Sequence, residues 1–212
     1  MIHQRMTLGG DALATHLDRA DRLGIDASDI VSAVLEGHAG DSSVNRILDD
    51  PLPADIKDRT DYQRELAQVT EMVVSAIRLG PPDRSGSQSA PFARAQMGAS
   101  VGEEDLETLW LSTRGHWVIS ADTEVIVAFR LGVPLAVFRV EEWSQATGNR
   151  RRWARSGYAI RDGRQVRFVG GGAVDVQDAT AEESAIAQVI LGSRLWMPAG
   201  ASNPVANLHR PS

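Results

Sequence analysis

Between Leu109 and Trp117 the chain reads Leu-Trp-Leu-Ser-Thr-Arg-Gly-His-Trp, which sets two indoles, a guanidinium and an imidazole close together. Indole faces stack flat ligands, and a guanidinium pairs with the edge of a base or with a phosphate. Arg114, at a helix-to-strand turn, can present its fork to such a ligand. Gly115 lets backbone approach closely. The competing reading is structural: Trp110 sits on a helical apolar face, and Gly115 only turns the chain. Alternation along a strand from Trp117 puts Trp117 and Ile119 on one face, either in a barrel mouth or in its core.

A second constellation is electrostatic. Residues 150–167 carry seven arginines and one acid, Asp162, with Trp153 and Tyr158 interleaved. Arg151, Arg152, Arg155, Trp153 and Tyr158 have the composition of a phosphate-tracking surface with stacking platforms. The same hairpin could equally dock on carboxylates of the chain's own acidic first half. Asn203-Pro204 is a turn dipeptide whose Asn can bond backbone or a base edge.

Enzymatic readings have thinner support. His116 could act as a general base with Asp122, Glu124 or Glu141, but no nucleophile or partner lies at a telling spacing, so no catalytic residue is assigned. There is no cysteine, and the histidines are scattered, so no metal or cofactor is expected. Gly170-Gly171-Gly172 lacks the spacing and the lysine of a phosphate loop. Adjacent Glu141 and Glu142 point to opposite faces of a strand, unlike a paired acid–base site.

These residues need elements to hold them. In the first half the spacing predicts helices over 11–23, 28–35 and 44–48. A fourth is predicted from Thr60, with Gln63 in a capping box and Leu66, Val69, Val73 and Ile77 on one face. The first two helices resemble a helix-turn-helix in spacing, but the second carries no arginine or lysine, so a protein-interaction or dimerisation bundle is expected. Residues 81–100, rich in Gly, Pro, Ser and Ala, read as a linker. The second half predicts a helix over 103–113 and strands over 117–120, 124–130, 134–140, 150–160 and 165–169. Turns at Leu131-Gly132 and Asp162-Gly163 join two hairpins, and a helix follows over 181–195. The fold expected is α+β: a helical domain over 1–80, then a small bent β-sheet or barrel with flanking helices over 101–212.

The 212 residues, 42% hydrophobic, support a real core. No apolar run approaches the ~18 residues of a membrane span, and the first residues lack a secretory pattern, so a cytoplasmic protein without a membrane partner is expected. Residues 1–104 hold 10 basic and 17 acidic side chains, residues 105–212 hold 12 and 11, and all five tryptophans lie in the second part. That asymmetry suggests two units with different partners.

"TRGHW" at 113–117, "VIVAFRLGVPLAVFRVEEW" at 125–143, "RFVGG" at 167–171 and "LGSRLWMPAGASNPVANL" at 191–208 together resemble bacterial domains with an RG-x-W motif and a closing NP motif. They are similar to the PUA/EVE-like group of small β-barrels. The resemblance implies a compact barrel whose relatives bind RNA or modified DNA bases, some alongside restriction or anti-phage systems. By position it implies pocket roles for Trp117, Trp143 and Asn203 and a rim role for Arg114. Leu208 departs from it, standing where an aromatic end is expected. The function expected is a nucleic-acid or modified-base binding module. The alternative is a protein-interaction or homodimerisation protein that binds no nucleic acid.

Overall fold

Val73-Val74-Ser75-Ala76-Ile77 is a five-residue run with one polar side chain. Such a run fits a strand buried on both faces as readily as one side of a helix. In the computed structural model, which describes residues 55–80, 82, 98–99, 101, 105–148, 150–170, 172–196 and 204–211, it is a strand. The elements in chain order are β1 (Ile56–Lys57), α1 (Arg59–Leu66), β2 (Val73–Arg78), α2 (Leu106–Thr113), β3 (Gly115–Val118), β4 (Thr123–Arg130), β5 (Val133–Trp143), β6 (Arg151–Arg161), β7 (Arg164–Val169), β8 (Gly172–Asp178), α3 (Ala181–Leu191), β9 (Arg194–Leu195) and β10 (Val205–His209).

The main sheet runs β10-β2-β4-β5-β6-β7-β8, with β3 also pairing β6; β1 and β9 form a separate small parallel pair. In the main sheet only β2 and β4 run parallel. Two tight turns set the central hairpins. Leu131 and Gly132 (φ 52 and 77) join β4 to β5, and Asp162 and Gly163 (φ 53 and 73) join β6 to β7. Paired left-handed residues match the twist of antiparallel strands. Gly132 is also required by contact: a Cβ there would meet the Leu195 carbonyl oxygen at 2.6 Å.

The sheet is covered on both faces. One face packs Val74, Ala76, Val125, Val127, Phe129, Val137 and Ile160 against Tyr62 and Leu66 of α1 and Ile186 and Ile190 of α3. The other packs Ile77, Ile126, Ala128, Phe138, Ala159 and Phe168 against Leu109 and Trp110 of α2. This alternation is the period-2 signature of strands. Both covering helices of the first face start on side-chain caps, Asp58 for α1 and Thr180 for α3.

This architecture overturns the expected α+β arrangement of a helical bundle and a separate PUA-like barrel. Among the described residues strand exceeds helix, 48% against 21%, and the sheet is open, since β10 and β8 do not pair with each other. The expected helix through Ile77 stops at Leu66, capped by Asp58 rather than Thr60, and β2 follows as an interior strand between β10 and β4. Propensity differs by only tenths of a kcal/mol between such residues. Burying a large apolar side chain contributes about 1.5–3 kcal/mol, so two-sided burial decides. The helices expected within 11–48, and nearly all of the linker, lie outside the described residues. β8 and β10 were not expected. Among the described residues, no helix is long and apolar enough to cross a membrane.

Candidate nucleic-acid interface

The opening motif forms the corner from α2 to β3. Asp105 caps α2, accepting from the backbone of Glu107 and Thr108. Trp110 is fully buried, stacked on Phe168 with ring centroids 5.6 Å apart. Its Nε1 donates to the Gly170 carbonyl at 2.8 Å, and Arg114 Nη1 donates to the same oxygen. Arg114 is 6% exposed. It therefore ties the β7–β8 turn to the α2–β3 corner and occupies no rim, contrary to the role implied by position. The Arg114 carbonyl accepts from Ala154 N–H at 2.7 Å, which hands the chain to β6.

β3 pairs with the first residues of β6, Gly115 opposite Trp153 and Trp117 opposite Arg152, with a bulge between Gly115 and Trp117. Trp143 stands opposite Ala154 on the other flank of β6. Trp117 and Trp143 are half-buried against the same core. Each is anchored through its indole: Trp117 Nε1 donates to Thr113 C=O and Trp143 Nε1 to Thr123 C=O, both at 2.7 Å. These tethers fix the rings while leaving part of each accessible. Arg152, paired across from Trp117, has its Nε buried with no hydrogen-bond partner. Arg151 is exposed, and Trp153 is half-buried with its ring edge-on to His116. Burial, and after it the Arg151 charge, hold the His116 pKa below its ordinary value.

Two other arginines of the basic run are neutralised locally. Arg155 pairs with Glu142 at 2.7 Å and Arg167 with Glu141 at 3.2 Å. The Tyr158 hydroxyl donates to Glu141 at 2.8 Å. Tyr158 and Arg167 face each other across β6 and β7, with the guanidinium 5.9 Å from the ring centroid. Arg139 pairs with Glu124 at 3.0 Å on the neighbouring strands. Arg155 and Tyr158 therefore belong to a lattice whose carboxylates come from β5, and not to an open cationic ridge. No ion pair to Arg150, Arg151 or Arg152 is present among the described residues.

The structure places Trp117 and Trp143 on the core-facing side of the β3–β6 corner with Arg152 and Ala154, puts Arg151 and Trp153 on the opposite face of β6, and sets Arg114, Arg155 and Tyr158 apart. Asn203 lies outside the described residues. The sequence reading did not foresee the neutralising roles of Glu141 and Glu142; their opposite-facing spacing beside an arginine-rich strand was the available signal. Among the described residues, no three histidine, aspartate or glutamate side chains converge as metal ligands. Comparison with protein-family models, curated proteins and solved structures finds no match to this chain.

Proposed function

We propose that the chain is a nucleic-acid-binding module that holds a strand at the β3–β6 corner. The observation that carries this reading is the division of the arginines. Arg155 and Arg167 are matched by glutamates, whereas Arg151 and Arg152 have no carboxylate partner among the described residues, Arg152 standing opposite Trp117 and Arg151 sharing its face of β6 with Trp153. Unmatched guanidiniums beside accessible indoles suit a phosphate backbone whose unpaired bases stack on the rings. The tethered rings of Trp117 and Trp143 arrive at binding already ordered, which lowers the cost of stacking a base.

The test is fluorescence anisotropy of a labelled single-stranded oligonucleotide across salt concentration. Arg151→Ala with Arg152→Ala is expected to weaken binding and to flatten the log–log salt slope by about 1.5 units, the loss of two phosphate contacts. Arg155→Ala with Arg167→Ala is expected to change the slope little, because those charges are already matched. Equal slopes for wild type and the Arg151/Arg152 variant would refute the proposal.

A further inference from the structure

Among the described residues, β10 forms one edge of the main sheet and pairs with β2 alone. It carries three buried polar atoms that no hydrogen bond satisfies: Asn207 Oδ1 and both ring nitrogens of His209. His209 is 4% exposed, so its ring is shut away from bulk water as well. In either tautomer a neutral imidazole holds one donor and one acceptor. One N–H and two acceptors therefore lie unmatched on a strand of five residues. No other strand among the described residues holds more than one such side-chain atom.

The register accounts for them. Asn207 stands opposite Ser75 and His209 opposite Val74, with a bulge between. The Ser75 hydroxyl faces the Thr123 hydroxyl at 3.5 Å, and Val74 has no polar side-chain atom to offer. α1 packs against β10 and covers it. What holds the strand down is mostly apolar. Leu208 is 1% exposed, and Ala206 packs against the same core. At the start of the strand the Arg78 N–H donates to the Pro204 carbonyl at 2.7 Å. At its end Arg210 pairs with Asp122 at 2.7 Å, with both side chains about half exposed, and such surface pairs contribute little. A buried donor or acceptor without a partner carries its full desolvation cost, which is relieved once the strand lifts and water reaches it.

We infer that β10 is a detachable strap. It lifts off β2 as a unit while β2, β4 and β5 stay paired, and its unmatched polar atoms place that opening below global unfolding in free energy. In the lifted form β2, an interior strand in the closed fold, becomes the edge of the sheet. The main-chain groups that Val74–Ile77 present to β10 then face solvent.

The experiment is hydrogen exchange read by mass spectrometry on the full chain, at several urea concentrations below the unfolding transition. It compares wild type with the Asn207→Val/His209→Leu double variant. In the wild type the slowest amides of 205–209 are expected to exchange about tenfold or more faster than those of β4 and β5. Their rates are expected to rise little with urea, because lifting one strand exposes little surface. The double variant removes all three unmatched atoms and is expected to slow β10 exchange by about tenfold, equivalent to about 1.4 kcal/mol. Wild-type β10 amides that match β4 and β5 in rate and urea dependence overturn the inference, whether or not the double variant folds. A folded double variant whose β10 exchanges as fast as wild type, or faster, overturns it too.

Discussion

Arg114 shows how far residue type is from residue role. In the sequence it stands between two tryptophans and looks like a reader of ligands. In the fold its guanidinium is buried and shares the Gly170 carbonyl with Trp110. Truncating a buried charge-assisted donor costs about 2–3 kcal/mol, because the packing around the stem is lost with the bond. Arg114→Ala is therefore expected to lower unfolding stability by that amount in urea denaturation while leaving the affinity of the folded protein for an oligonucleotide within about twofold, a few tenths of a kcal/mol. Unchanged stability, or binding lost in a protein that stays folded, would return Arg114 to the interface. Strand alternation put Trp117 on one face with Ile119 but left mouth and core open, and Trp143 entered only through the resemblance; both rings are half-buried. The role of Arg114 was not legible, because its partner is a backbone carbonyl far along the chain that no local spacing announces.

At the scale of elements, the β5–β6 pair holds the molecule's centre. Gly157 stands opposite Val140, and a Cβ there would meet the Trp110 ring at 3.1 Å and crowd the Arg139 carbonyl as well. Neither the ring, locked by its bond to Gly170, nor the strand backbone can yield cheaply. Gly157→Ala is expected to cost about 2–4 kcal/mol, at the upper end of overpacking; a melting temperature equal to wild type would contradict the tight contact. The hairpins β4–β5 and β6–β7 were readable from Leu-Gly and Asp-Gly turns, since that chemistry is local. β2 was misread because Leu66, Val69, Val73 and Ile77 keep helical spacing while Val73–Ile77 is also a continuous buried run. What settles the matter is contact with β4 and β10, and that information lies elsewhere in the sequence. β10 was hidden for a related reason, as Asn203-Pro204 announced a turn and drew attention from the strand after it.

For the whole molecule, the open sheet joins residues from either side of the expected linker. α1 and β2, which precede it, share one core with α3, β4 and β5, which follow it. The contrast in charge between the two parts is real, but it does not mark two separate cores among the described residues. Stability is therefore expected to be shared across this boundary. Deleting residues 205–212 strips β2 of one partner and uncovers the side of the core that Leu208 closes at 1% exposure. Such a chain is expected to lose its cooperative thermal transition, as followed by circular dichroism. A sharp transition within a few degrees of wild type, less than about 1 kcal/mol, would mean that β10 is only an accessory strand.

The position of β2 also bears on how the chain is made. When Val73–Arg78 leaves the ribosome, both strands that will flank it, β4 and β10, are still untranslated. A ribbon of valine, alanine and isoleucine then waits with two bare edges, the configuration that recruits like ribbons from neighbouring polysomes. The second edge closes only when Val205–His209 is synthesised, so until then this ribbon stays open to pairing with like strands.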